Sequence, residues 1–251
     1  MRSTKSKNFH DAARRGRRPP RLDPERVRAF RRRLVSWYGR HGRDLPWRHT
    51  HDPYEILVSE IMLQQTQVRR VLEFYPRFLA RYPTAADLAS ASASAVRDAW
   101  DGLGYYRRAR NLHRTARMIT RQHGGRFPSA PADLAKLPGI GRYTAAAVAS
   151  FAYDAHTAIL DTNAARVFQR VFGAGRRRGR EARLWAVAEH VVPRGRSYDF
   201  NQAIMDLGAT ICTARRPACP RCPVRGACDA FKRGWFRAAR PPRPRTSRRT
   251  G

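Results

Sequence analysis

An all-α fold follows from three features of the sequence. Apolar residues recur at three- and four-residue spacing over most of the chain, as in YEILVSEIMLQQTQVRRVLEF and NAARVFQRVFG. That is the period of a helix with one buried face. No stretch shows the convincing apolar–polar alternation that marks a half-buried strand. The punctuation is helical as well: Asp or Thr opens the periodic segments and Gly closes them.

Asp52-Pro53 combines a capping side chain with proline at the first helical position, so a helix starts there. The pattern then runs through Arg81 and Tyr82, with breaks expected near Pro76 and Pro83. TAADLASASASAVRDAW has a Thr84 cap and is expected to continue as one helix. YYRRARNLHRTARMITRQHGG is closed by Gly124-Gly125. SAPADLAKLPGIGRYTAAAVASFAY reads as helix, tight turn, helix. NAARVFQRVFG, REARLWAVAEHVVP and DFNQAIMDLGATIC complete the helical set. Residues 1–24 and 237–251 are basic and rich in Pro and Arg; they read as disordered arms that solubilise the chain or touch phosphate weakly.

The 251 residues carry 51 Lys and Arg against 19 Asp and Glu, a net charge of +32. Arginine-rich coding explains Arg over Lys, since the lysines are only Lys5, Lys7, Lys136 and Lys232. It does not explain the shortage of acids. A polyanionic partner does, and nucleic acid is the first candidate. No apolar run is long enough to cross a bilayer, and the basic N-terminus lacks the apolar segment of a secretory signal. The expected location is cytoplasmic, at the nucleoid.

LPGIGRYTAAAV joins two helices through Pro-Gly-Ile-Gly. Gly139 and Gly141 allow close backbone approach, and the helix opening at Arg142 presents free N–H groups. Such a turn is an anion site, and on a basic chain the anion is a DNA phosphate. An ordinary αα-hairpin would have the same outline.

Two acids stand out. Glu60 lies among Val58, Ile61 and Leu63 in the most apolar helix. Partial burial there raises its pKa and lets it keep a proton at neutral pH, as a general acid needs. Asp161, in AILDTNAARV, is an ordinary helix cap when taken alone. Together the two could flank a cleft as an acid and a carboxylate, the pair needed to hydrolyse an N-glycosidic bond.

All four cysteines, Cys212, Cys219, Cys222 and Cys228, fall in ICTARRPACPRCPVRGAC. Disulfides suit a cytoplasmic protein poorly. Four close thiolates suit a metal, and the spacing alone fits zinc and a 4Fe–4S cluster equally.

These motifs, in this order, closely resemble the MutY-type adenine DNA glycosylases of the helix-hairpin-helix superfamily that includes endonuclease III. The resemblance runs from about Trp37 to Cys228 and rests on LPWR, SEIMLQQTQV, GLGYYRRARNLH, LPGIGRYTAAAV, ILDTNAARV, FNQAIMDLGATIC and the cysteine loop. It implies one 4Fe–4S cluster on the four cysteines, with Arg215, Arg216 and Arg221 of that loop facing DNA phosphates. It implies that Glu60 protonates the adenine, that Asp161 stabilises the oxocarbenium ion, and that Asn163 hydrogen-bonds in the same site. Tyr143 matches a tyrosine that organises the catalytic carboxylate. Leu45, Trp47 and Arg48 match the lining of the adenine pocket. Gln65 matches a side chain that wedges into the base stack, and Tyr105 one that intercalates beside the opposing purine. The shared logic is base flipping.

Bifunctional relatives carry a nucleophilic lysine where this chain has Tyr143, so monofunctional hydrolysis is expected. Typical members also carry a C-terminal domain that reads 8-oxoguanine; here the residues after Cys228 lead into the basic tail, and a short form without that domain is expected. Short G·T and G·U mismatch glycosylases of the same superfamily share WRHT, DPY and the hairpin tyrosine. Gln64-Gln65 and DLGA favour the adenine enzymes. A DNA-binding module without catalysis would have no need of both Glu60 and Asp161. The expected architecture has two lobes, residues 51–154 as a six-helix barrel and residues 25–50 with 155–236 as the cluster lobe. A monomer would bind mismatched double-stranded DNA across the cleft between them.

Overall fold

A computed structural model describes residues 21–173 and 180–236. Twelve α-helices, short 3₁₀ turns and one π-helical turn make up the secondary structure of these residues, which contain no strand. The expected basic arms fall outside them, except that Asp23 already caps the first helix, α1 (Pro24–His41).

A 3₁₀ turn at Pro46–Arg48 leads to α2 (Pro53–Leu63), where Asp52 accepts from the Tyr54 and Glu55 amides. Then come α3 (Val68–Arg81), α4 (Ala85–Ser90), α5 (Ala93–Ala99) and α6 (Arg107–Gln122). The hairpin comprises α7 (Pro131–Leu134) and α8 (Arg142–Tyr153). The remaining helices are α9 (Thr162–Phe172), α10 (Arg180–Val191), α11 (Ser197–Asp206) and α12 (Asp229–Lys232).

Two boundaries differ from expectation. The chain does not break at Pro76, which lies inside α3. Tyr75 and Phe78, both buried, anchor the helix on either side and offset the missing amide. The break falls instead at Gln64–Gln67, where Gln65 turns left-handed with φ 57°. The Thr84 segment also divides in two, because the Ser92 hydroxyl accepts from the Ala95 amide and starts a second helix.

The buried side chains form two groups. One gathers α2 to α8 around Ile56, Leu57, Met62, Phe78, Trp100, Leu112 and Ile119. The other packs α1 against α9, α10 and α11 around Phe30, Leu34, Phe168 and Phe200. Leu45 and Trp47 precede α2 in sequence yet pack with the first group. Phe30 meets the rings of Phe172 and Phe200 edge-on at 5.1 and 6.1 Å, a favourable geometry that fixes how α1 sits on its neighbours. Glu60 and Tyr143 belong to elements of the first group, Asp161 and the cysteines to those of the second.

Candidate active site

Glu60 faces inward on the last turn of α2 and is 5% exposed. Burial pushes its carboxyl up to about 7; the Tyr143 hydroxyl and Arg48 oppose that rise and Asp161 adds to it. Tyr143, in the first turn of α8, is itself held well above the usual phenol range, first by burial and then by the Glu60 and Asp161 charges. Its hydroxyl lies 3.6 Å from the Met205 sulfur. A phenolic O–H rotates freely, so the same group can donate to sulfur or to the carboxylate beside it.

Asp161 approaches from the second group of helices as the N-cap of α9. One carboxylate oxygen accepts from the Ala164 amide at 2.6 Å, the other from Asn163 Nδ2 at 2.9 Å. Arg166 donates to Asn163 Oδ1 at 2.7 Å, to the Gly208 carbonyl at 2.6 Å and to the Cys212 carbonyl at 2.8 Å. Gly208 lies in the π-helical turn Leu207–Ile211, so close to Asn163 that an added β-carbon would sit 2.6 Å from Asn163 Cβ. The glycine of DLGA is thus a packing requirement of the Asp161 cap.

Arg48 is the cation near Glu60, and it is already committed. Its guanidinium donates to both Asp206 oxygens at 2.9 and 2.8 Å, and Arg43 Nε reaches the same carboxylate at 2.7 Å. Asp206 is fully buried. Burial works against its charge, and the hydrogen bonds from Arg48 and Arg43 outweigh that and hold its carboxyl below the usual range. With its charge matched by Asp206, Arg48 stays beside Glu60 without forming a salt bridge to it. Nothing in DLGA marked Asp206 for this task, because both arginines it binds are about 160 positions away. Leu45 and Trp47 are buried, the Trp47 ring edge-on to Tyr75 at 5.5 Å.

The residues expected to enter DNA lie on two adjacent loops. Gln65 is exposed and left-handed. Tyr105 is 60% exposed and also left-handed, with φ 48°. Gln64 points the other way and donates to the Thr144 hydroxyl at 3.3 Å. In the hairpin, Gly139 has φ 76°, and a β-carbon there would collide with Asn111 of α6. Gly141 caps α8 without a side-chain bond, which leaves its first amides unpartnered by a cap. Arg142 is half-engaged within the protein: it stacks 3.8 Å over the Trp185 ring and pairs with Glu189 at 2.6 Å.

The four cysteines line one cavity, with Val167, Leu207 and Val224 among its apolar walls. Arg170 Nη1 lies 3.3 Å from the Cys212 sulfur. Burial pushes the Cys222 thiol up to about 12 and also raises Cys219 and Cys228. Arg215, Arg216 and Arg221 are exposed on the outer side of the loop.

Residues 58–190 match the family model described as the HhH-GPD superfamily of base excision DNA repair proteins. The chain is 46% identical to an adenine DNA glycosylase of Rattus norvegicus over 82% of its own length and 42% of that protein. It therefore spans less than half the length of this relative. It is 40% identical to a thymine-DNA glycosylase of Aeropyrum pernix over 82% of its length and 96% of that protein. Among solved structures, a thermostable thymine-DNA glycosylase superposes with a TM-score of 0.77 at 34% identity, covering 83% of this chain and 98% of that one. The chain belongs to the HhH-GPD superfamily of base excision DNA repair proteins.

Proposed function

We propose that the chain is a monofunctional DNA glycosylase that hydrolyses the N-glycosidic bond of adenine mispaired with guanine or 8-oxoguanine. The observation that carries this reading is the burial of Glu60, which pushes its carboxyl up to about 7. Adenine is a poor leaving group as an anion and departs readily only after protonation; thymine and uracil can leave as anions. A carboxyl pushed up to about 7 is protonated in about half the molecules at neutral pH, which supplies the acid a purine needs.

In the proposed reaction the flipped adenine receives the Glu60 proton as the bond between C1′ and the base breaks, and the bonding pair leaves with the base. The Asp161 carboxylate, oriented by the Ala164 amide and Asn163, faces the cationic sugar. Water adds to C1′ and returns its proton to Glu60. Tyr143 supplies a hydroxyl, not an amine, at the hairpin. Lys136 is outside the site and pairs with Asp133 at 2.6 Å. Both points favour hydrolysis over Schiff-base chemistry. Gln65 and Tyr105 would fill the base stack, while the Gly139–Gly141 turn and Arg215, Arg216 and Arg221 would meet phosphates.

The cysteine loop fits a 4Fe–4S cluster held by Cys212, Cys219, Cys222 and Cys228. All four thiols line a shared cavity, which supplies the thiolate donor set such a cluster takes, although as the side chains stand no group of three His, Cys, Asp or Glu among the described residues is placed to hold a metal ion. Bound there, the cluster would serve as a structural brace for the arginine-bearing loop, and hydrolysis needs no electron from it. The protein would act as a monomer on duplex DNA at the nucleoid, its two lobes meeting across the Glu60–Asp161 cleft. No helix among the described residues is long and apolar enough to cross a membrane.

A second reading, a G·T and G·U mismatch glycosylase, is favoured by the near full-length match to the archaeal relative. Duplexes with A opposite 8-oxoguanine, A opposite G, and T or U opposite G decide between them when treated with alkali after incubation. Strand breaks in the adenine duplexes are expected. Breaks confined to the G·T and G·U duplexes would overturn the adenine reading.

A further inference from the structure

Arg108 is one of many arginines in the sequence, but its environment sets it apart. It lies in the first turn of α6, is 8% exposed, and burial lowers its pKa. A cation in that position opposes the helix dipole, and α6 has no acid in its first turn. Its guanidinium faces carbonyl and hydroxyl oxygens of two loops. Nη1 donates to the carbonyls of Ile61 at 3.0 Å, Met62 at 2.7 Å and Gln64. Nη2 donates to the Thr66 hydroxyl at 3.0 Å and to the carbonyls of Leu103 at 3.1 Å and Gly104 at 3.2 Å. The charge therefore closes the carbonyl end of α2, where the helix dipole is negative.

The acceptors coincide with the strained residues. The Gln64 carbonyl belongs to the peptide unit just before Gln65, and the Gly104 carbonyl to the one just before Tyr105. These are two of the three non-glycine residues with positive φ among the described residues. A left-handed non-glycine residue persists only where its surroundings hold it there. One guanidinium holds both, and the Tyr105 ring lies over the same group, 5.4 Å from its Cζ.

We propose that Arg108 is a positioning residue that fixes Gln65 and Tyr105 as one rigid pair, so that insertion of either side chain into DNA is coupled to insertion of the other. This rests on the reading of Gln65 and Tyr105 as side chains that enter the base stack. Lysine cannot replace Arg108, because an ammonium cannot present two separate N–H faces to two loops at once.

The test is a double-mutant cycle on duplex affinity, using the full chain. The probes are a duplex with a non-hydrolysable 2′-fluoro-adenosine opposite 8-oxoguanine, a 2′-fluoro-thymidine·G duplex and an undamaged duplex. Gln65→Ala, Tyr105→Ala and their combination are compared in the parent and in Arg108→Lys. In the parent, the two losses of mismatch affinity should depart from additivity by about fivefold or more. In Arg108→Lys they should be additive within about twofold. Arg108→Lys should also lower mismatch affinity while leaving undamaged-duplex affinity near the parent value. Thr66→Val removes one Nη2 acceptor without touching the helix core; it should reduce the coupling in the same direction, and it carries the test if Arg108→Lys does not fold. Unchanged coupling in the folded variant overturns the proposal. If Gln65→Ala and Tyr105→Ala both bind mismatches as the parent does, the insertion reading itself fails and the proposal with it. A preference for the thymine duplex would count against the adenine reading alone, since the coupling is expected on whichever mismatch is bound.

Discussion

The two carboxylates of the site are handled in opposite ways. Glu60 is placed inside an apolar helix pair, given one hydroxyl neighbour, and pushed up to about 7 by burial. Asp161 is half-exposed at a helix N-terminus, where an amide and the Asn163 side chain both donate to it. Desolvation preserves a proton on the first; on the second, the two donors fix where the carboxylate points. Two residues of similar chemistry are set in contrasting surroundings, one buried with a single hydroxyl beside it and the other at a helix end with two donors on it.

The largest effect should come from removing the proton itself. Glu60→Gln is expected to lower single-turnover adenine release by about ten-thousandfold. Stability should move the other way. The folded pKa lies above the ordinary value of 4.5, so the folded state holds a proton that the unfolded chain has released, and stability falls as pH rises from about 4.5 through 7. Glu60→Gln escapes that fall and should be more stable than the parent by about 3 kcal/mol at pH 8, with little difference at pH 4. Denaturant melts at the two pH values check this; equal melting at both would mean that Glu60 is not desolvated.

Asp161→Asn keeps the cap, because Asn serves that position equally well, and removes the charge. Release should drop by about a thousandfold, with mismatch binding close to the parent's in a gel-shift titration. A variant that turned over normally would leave Asp161 as a cap and nothing more. Arg166→Met spares both carboxylates and cuts the bridge from Asn163 to the Gly208 and Cys212 carbonyls. A misplaced anion should cost about tenfold in single-turnover rate, without a matching loss of binding. The smallest change should follow Tyr143→Phe. The hydroxyl favours ionised Glu60, so its loss raises the acid's pKa, and the alkaline limb of the rate profile should move to higher pH. A downward move would contradict the contact.

Much of this was legible in the sequence because it was local. Asp52 before Pro53, Thr84 before its helix, and glycines after Gln122 and Phe172 each mark a helix end within a few residues. The surroundings of Glu60 announced its burial. Asp161 drew two readings, cap and catalytic anion; the structure shows the cap directly, and the donors that make it a cap are those an anion needs. Pro76 misled because a proline's cost in a helix can be offset by buried aromatic neighbours that no local pattern reveals. The long-range arginines were hidden for another reason. Arg108 and Arg166 each reach acceptors more than 40 positions away, and in a chain this basic a structural guanidinium has the same one-letter code as a surface one. Arg142 shows the same limit: its stacking on Trp185 joins positions more than 40 apart.

Gly208 has a genetic consequence. Every amino acid other than glycine carries a β-carbon, and at this position that atom would sit 2.6 Å from the β-carbon of Asn163. All missense changes in its codon therefore deliver the same injury to the neighbour of Asp161, whatever the size or charge of the new residue. If the proposed glycosylase reading holds, Gly208→Ala and Gly208→Leu should therefore lose single-turnover rate alike.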